Sequence, residues 1–166
     1  MATKENAMEA FAGESQANRK YTAFAEKALA DGFPNVAKIF KAAAEAEGIH
    51  AHKLLKVLGT VGKTEDNLKM SFEGETKEYT AMYPEFMKTA EAERQNDALI
   101  AFTYAMKAEE VHAGHYKEAL KMVSTGKDMS SRKVLLCPVC GNIFLGEAPE
   151  KCPICSVFRK VFKEIE

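Results

Sequence analysis

The sequence has almost no net charge, no long apolar run, and no cysteine before position 137. A formal charge of -1 over 166 residues leaves nothing to hold the chain on nucleic acid or on an acidic membrane surface. No stretch approaches the roughly 20 apolar residues of a membrane span. The opening MATKENAMEAF lacks the apolar core of a secretory signal, so the expected location is the cytoplasm. All four cysteines fall between positions 137 and 155. In a reducing cytosol that clustering argues for a metal and against disulfides. A hydrophobic content of 46% describes a soluble globular protein with one core of ordinary size and a small appendage.

Residues 4–124 read as helix almost throughout, rich in Ala, Glu, Lys, Met and Leu, with apolar residues at three- and four-residue steps. Breaks fall at Asp31-Gly32-Phe33-Pro34, Gly59-Thr60-Val61-Gly62, Arg94-Gln95-Asn96 and Ser124-Thr125-Gly126. Four helices of roughly 25 to 30 residues are expected, long enough to wall a four-helix bundle. Thr64-Glu65-Asp66 is a start signal for the third. The expected organisation is a helical domain over 1–126, a polar linker over 127–133 and a small domain over 134–166, rich in Val, Phe, Pro and Gly. That small domain is too short to fold without a staple.

The helical part repeats itself. The inward stripe of the first helix runs Phe11, Glu14, Asn18, Tyr21, and that of the third runs Leu68, Phe72, Glu75, Tyr79, Met82, Phe86. The second and fourth stripes each carry Glu-x-x-His, as Glu47 with His50 and Glu109 with His112. A step of three keeps both side chains on one helix face. Glu14 precedes Glu47 by nearly the same interval as Glu75 precedes Glu109, so each half is a hairpin in which a lone Glu faces a Glu-x-x-His. Two such halves are the ligand set of di-iron or di-manganese carboxylate bundles. One Glu on an apolar face can snorkel, and one His can be a bonded core residue. Four carboxylates and two imidazoles at one level would cost several kcal/mol per charge without a cation. Glu45, Glu73, Glu91, Glu93 and Glu110 lie off the stripes and are expected in solvent. His52 and His115 are expected to be exposed as well, although His115 is near enough to His112 to support a ligand.

Cys137-Pro-Val-Cys140 and Cys152-Pro-Ile-Cys155 are two metal knuckles, and four thiolates so spaced make a tetrahedral site for zinc or iron. Such a site has no open position. Iron there would relay electrons, whereas zinc would be structural.

Glu78 breaks the repeat, because its counterpart after Glu14 is Ala17. Four carboxylates neutralise two ferrous ions, and oxidation to ferric leaves charge for a fifth to compensate. Ferric iron gains more from carboxylate, while imidazole suits ferrous iron. One ion held by Glu14, Glu47 and Glu109 would therefore take Glu78 when ferric and His50 when ferrous. The other would stay on Glu75, His112 and the bridging Glu47 and Glu109.

AFAGESQANRKY around Glu14, the two Glu-x-x-His motifs, GETKEYTAMYP over Glu75 and Glu78, and the cysteine tail resemble the rubrerythrin family nearly end to end. The resemblance implies a ferritin-like bundle with a long crossover, followed by a rubredoxin-like domain. Eight extended residues at 59–66 would span up to roughly 27 Å, enough to run back along the bundle, while a tight turn would also align the ligands. It implies two iron ions in the bundle and favours iron over zinc in the four-cysteine site. It also implies the Glu78–His50 exchange, and hydrogen bonds from Tyr21 and Tyr83 to the ligands; both tyrosines also read as large core residues with a polar tip. The implied activity is reduction of hydrogen peroxide to water in oxidative-stress defence. Electrons would come from an NAD(P)H-dependent reductase, rubredoxin or both. A head-to-tail homodimer or higher oligomer is implied, with the relay domain of one subunit facing the bundle of another. Two other readings stand beside it: a ferroxidase or iron-storage protein, and a helical interaction module with a structural zinc ribbon.

Overall fold

The computed structural model describes residues 2–130 and 132–166; Ser131, in the expected linker, lies outside the described residues. The chain is mainly helical, with a small strand region at its C-terminal end. It divides into two compact units, one up to Gly62 and one from Lys63 onward.

The first unit is a helical hairpin of α1 (Ala2–Ala30) and α2 (Pro34–Leu58). Pro34 opens α2, where its fixed φ suits a first turn and its missing N–H is not needed. Gly59 closes α2 at φ 63°, and the Thr60 N–H reaches back to the Leu55 carbonyl. This left-handed cap is a conformation that glycine adopts without a Cβ penalty. Ala37, Ala44 and Ala51 recur at heptad spacing and are buried, as are Ala7, Ala25 and Ala28 of α1. Small side chains so spaced let the two backbones approach closely along a narrow seam.

The second unit starts at α3 (Thr64–Lys77), which begins at the expected Thr64. The connection from α2 therefore runs only over 59–63, shorter than the extended segment the sequence allowed, because 64–66 already belong to the helix. The third of the four expected helices spans 64–92 and is interrupted by a π-turn. Glu78–Met82 forms a π-turn, and the chain continues as α4 (Tyr83–Ala92) and α5 (Asn96–Val123). A π-turn takes in one residue more than an α-turn. The repeat carries that extra residue: Glu14 to Tyr21 is seven steps, and Glu75 to Tyr83 is eight. The π-turn absorbs it, and the aromatic clusters beyond still match. Tyr21, Phe24 and Phe40 pack together in one hairpin and Tyr83, Phe86 and Phe102 in the other. Tyr83, rather than the Tyr79 of the expected stripe, is thus the counterpart of Tyr21.

After α5 come β1 (Val134–Leu136), β2 (Ile143–Leu145) and β3 (Lys163–Ile165), an antiparallel sheet in the order β2-β1-β3. Val134 pairs with Leu145 on one side and with Ile165 on the other. Few apolar side chains are buried here apart from Cys137, Cys140, Cys152 and Ala148. Phe144 stacks on Phe162 at 5.1 Å beside them. No described helix is long and apolar enough to cross a membrane.

Candidate metal centres

Each hairpin gathers three of the expected ligands. In the first, Glu14, Glu47 and His50 place their donor atoms within 4.8 Å of one another. His50 Nδ1 lies 2.8 Å from Glu47 Oε2 and 3.9 Å from Glu14 Oε1. Asn18, one turn beyond Glu14, donates from Nδ2 to the Ala44 carbonyl of α2 at 2.6 Å. Gly48 makes room for that side chain, since a Cβ there would sit 3.2 Å from Asn18 Nδ2. The link pins α1 to α2 at the level of the three donors.

In the second hairpin Glu75, Glu109 and His112 converge in the same way. His112 Nδ1 is 2.7 Å from Glu109 Oε2, and both side chains are more than four-fifths buried. Glu75 is hydrogen-bonded to Glu109, and its carboxyl is pushed up to about 7. Burial is the main cause, followed by the bond to Glu109 and the charge of Glu109; His112 pulls the other way. Glu78, at the first position of the π-turn, is half-buried, and burial and the charge of Glu75 raise its carboxyl. The phenols of Tyr83 and Tyr116 are raised by burial and then by the surrounding carboxylates, Glu109 first for Tyr83 and Glu75 first for Tyr116. Tyr83 therefore lies within electrostatic reach of the ligand set. Tyr116 does too, with no counterpart in the other half, where Leu54 stands. Tyr21 packs in its aromatic cluster.

The donors fit a cation. Glu75 and Glu109 offer oxygens of the kind a divalent ion takes, beside the His112 nitrogen, and ion binding would expel the proton that Glu75 holds. The pH dependence follows. In the folded metal-free chain Glu75 keeps its proton up to about pH 7, against 4.5 as the ordinary value. The folded state holds the extra proton, so this contribution is fully present below 4.5 and is lost as pH rises through about 7. Chelated protein is expected to melt at a lower temperature at about pH 8 than at about pH 5, and Glu75→Gln is expected to flatten that slope. An unchanged slope in the variant would contradict this placement of Glu75.

The four cysteines form the other site. Cys137 Sγ and Cys155 Sγ are 3.6 Å apart, and Cys140 Sγ and Cys152 Sγ are 3.5 Å apart. A tetrahedron with metal–sulfur bonds of about 2.3 Å has edges of about 3.75 Å. The separations fit a shared metal and are far too long for disulfides. The two knuckles are built alike. The Gly141 N–H bonds back to the Cys137 carbonyl, and the Ser156 N–H to the Cys152 carbonyl. Gly141 (φ 79°) and Ser156 (φ 63°) both turn left-handed; serine bears a Cβ penalty there that glycine escapes. Burial raises the Cys140 and Cys155 thiols. Cys152 is lowered despite its burial, by the N–H groups of Cys155 and Ile154 and by neighbouring sulfurs. A cation is what would bring all four to thiolate together.

The four-cysteine domain lies against α5. Tyr104 packs on the cysteine cluster. His112 Nε2 is 3.0 Å from the Gly141 carbonyl, and His115 Nε2 is 3.0 Å from the Ile143 carbonyl. His115 is thus half-buried, against the expectation of exposure; the sequence carried no sign of the strand that covers it. His52 is exposed as expected, and so are Glu45, Glu73, Glu91, Glu93 and Glu110.

Comparison with known proteins agrees with this pairing of sites. The family model described as Rubrerythrin matches residues 5–120, and that described as the rubrerythrin rubredoxin-like domain matches residues 136–163. Rubrerythrin-2 of Clostridium acetobutylicum is 37% identical, over 93% of this chain and 91% of that protein. Nigerythrin of Nitratidesulfovibrio vulgaris is 38% identical, over 92% of this chain and 81% of its own length. The structure of fully reduced, all-ferrous nigerythrin superposes with a TM-score of 0.59 at 35% identity, covering 98% of this chain and 86% of that one. With a carboxylate–histidine helical region and a four-cysteine tail both matched, the chain belongs to the rubrerythrin family.

Proposed function

We propose that this chain reduces hydrogen peroxide to water in the cytoplasm, as part of oxidative-stress defence. Glu14, Glu47, His50, Glu75, Glu78, Glu109 and His112 would hold an iron pair, and Cys137, Cys140, Cys152 and Cys155 a single iron. Two ferrous ions held there would supply the two electrons that reduction of one peroxide to water needs. Glu47 and Glu109 would be shared between the two ions, with Glu14 and Glu75 holding one each; His50 would serve the ferrous state and Glu78 the ferric one. Tyr83 and Tyr21 orient ligand carboxylates. Electrons arrive from an NAD(P)H-dependent reductase, rubredoxin or both, by way of the domain at 134–166, tethered by 127–133 to the helical domain at 1–126.

The observation that carries this reading is Glu78. It is a fifth carboxylate beside Glu75, placed by a π-turn that has no equivalent in α1. π-turns inside α-helices occur frequently at functional sites. A ferroxidase or iron store needs neither the extra carboxylate nor an attached electron carrier. Glu78→Ala is expected to lower peroxide turnover by about tenfold or more, while leaving oxidation of ferrous iron by dioxygen nearly unchanged. Equal losses in both assays would favour the ferroxidase reading. Structures of the oxidised and reduced protein with identical ligands at both irons would contradict the His50–Glu78 exchange.

A head-to-tail homodimer or higher oligomer belongs to the proposal, with the relay domain of one subunit facing the bundle of another.

A further inference from the structure

We propose that the groove beside the second cysteine knuckle, lined by Phe158, Arg159 and Lys160 and bordered by Lys151, is the docking face for an acidic one-electron carrier protein that reduces the thiolate-bound iron. This rests on the proposed function for its purpose, but the face is a separate claim. Charge is uneven along the chain. Residues 151–163 carry Lys151, Arg159, Lys160 and Lys163 and no acid, in a chain whose net charge is -1. Such a block draws an oppositely charged surface over roughly a Debye length, ~8 Å at physiological salt.

The fold gathers these cations. The Cys152 N–H bonds to the Val157 carbonyl and the Ser156 N–H to the Cys152 carbonyl, so the knuckle closes as a tight loop. Lys151 and Phe158 pair across its base, and Lys151 Nζ sits 4.8 Å from the centre of the Phe158 ring. Arg159 follows directly, its backbone N–H on the Glu150 carbonyl and its guanidinium on the Ala148 carbonyl at 3.0 Å. Glu150, Phe158, Arg159 and Lys160 line one groove. Among the described residues no ion pair engages Lys151, Arg159 or Lys160, although Arg132 and Lys133 of the same region pair with Glu118 and Glu164. Phe158 is 47% exposed, so the cations surround an apolar ring that nothing in the small domain covers fully.

The place of this face decides what it is for. Cys155, within the same knuckle, is the least buried of the four cysteines. The strand after the first knuckle is the part that α5 meets, through the Gly141 and Ile143 carbonyls. The turn over Arg159–Val161 touches none of α3, α4 or α5. Four thiolates and one iron are negative in both oxidation states and would repel an acidic carrier, and the cations beside them offset that repulsion. An anionic bilayer would be served by cations anywhere on the chain, whereas cations at the least buried thiolate serve a redox partner. An apolar spot inside a charged rim suits a transient redox encounter, small in area and steered by charge. Each encounter oxidises the carrier by one electron and takes the thiolate-bound iron from ferric to ferrous. Two encounters return the two electrons that one peroxide removes.

The face is tested on the full iron-loaded chain, its four-cysteine site oxidised with ferricyanide and then mixed anaerobically with reduced rubredoxin of acidic net charge. No peroxide is present, so failure here leaves the peroxidase reading standing. The second-order rate is expected to fall about tenfold or more between about 0.05 and about 0.5 M NaCl. Lys160→Glu is expected to lower the low-salt rate about tenfold, while Lys127→Glu, the same charge change in the linker, leaves it within about twofold. Reduction by a neutral hydroquinone, the reduction potential of the four-cysteine site and the sedimentation coefficient are expected to be the same in Lys160→Glu and the wild type. A wild-type low-salt rate in Lys160→Glu, or an equal loss in Lys127→Glu, would overturn the proposal. A parallel loss with the hydroquinone would make the cations a tuning device for the iron. A changed sedimentation coefficient would give the face to a second copy, and a loss only of binding to phosphatidylglycerol vesicles would give it to a membrane. Each of these three results would overturn it as well.

Discussion

Glu109→Ala is expected to empty the carboxylate–histidine centre and to lower peroxide turnover by about a hundredfold or more. Glu109 touches both of its hairpin partners, with His112 at 2.7 Å and Glu75 through a shared hydrogen bond. In the proposed centre it also bridges the two ions, so its loss leaves each ion short of a ligand. The metal-free protein should respond the other way. Burial together with Glu109 holds the Glu75 carboxyl at about 7. Without Glu109, Glu75 titrates closer to its ordinary range, and at neutral pH the metal-free variant is expected to melt no lower than the metal-free wild type. Metal analysis and chelated melts separate the two effects. A variant that keeps two irons per chain would show that Glu109 is not a bridge. One that melts far lower when metal-free would make it a structural residue.

Cys152→Ser should act on the other half of the chemistry. The region matched by the rubredoxin-like family model, residues 136–163, has a core made largely of the cysteines themselves, so a bound metal would be its staple. Metal binding of this kind contributes about 10 kcal/mol or more to folding. Removing one of the two most buried thiols is expected to release the ion, bleach the visible colour of the thiolate-bound iron and unfold residues 134–166. Steady-state turnover from NAD(P)H should fall to background. A chemically pre-reduced iron pair should still consume one equivalent of peroxide, because Glu14, Glu47, Glu75 and Glu109 remain in place. A colourless wild type with zinc in the four-cysteine site and no metal among the helices would instead favour the interaction module.

Much of the proposed ligand set is legible in the sequence because it obeys local rules. Glu47 with His50 and Glu109 with His112 share a face by helical spacing alone, and the internal repeat supplies Glu14 and Glu75. The structure brings each trio together. The π-turn was not anticipated, although its signal stands in the sequence: the interval from the lone Glu to the Glu-x-x-His is longer by one in the second half than in the first. An extra residue between two helices that otherwise match must be absorbed somewhere, and Glu78–Met82 absorbs it. Pro84, just beyond, cannot donate a backbone bond to the turn before it. The surroundings of His115 and Tyr116 were illegible for a different reason. What covers His115 is the carbonyl of Ile143, far along the chain, and Tyr116 is raised first by burial and then by Glu75 on another helix and Glu109 on its own. Neither Ile143 nor Glu75 is specified by spacing along α5. The length of the connection after α2 depended on where α3 begins, and Thr64 as first helical residue shortened it.

In the proposed function the iron pair and the thiolate-bound iron form one peroxide-reducing unit. Its most direct test is anaerobic stopped-flow mixing of the fully reduced protein with hydrogen peroxide or, separately, with dioxygen, following absorbance of the oxidised four-cysteine site. Fast reappearance of that colour is expected with peroxide, much slower reappearance with dioxygen, and no reappearance with peroxide when Glu109 is replaced by alanine. Oxidation as fast with dioxygen as with peroxide, or colour returning at full rate without Glu109, would contradict it.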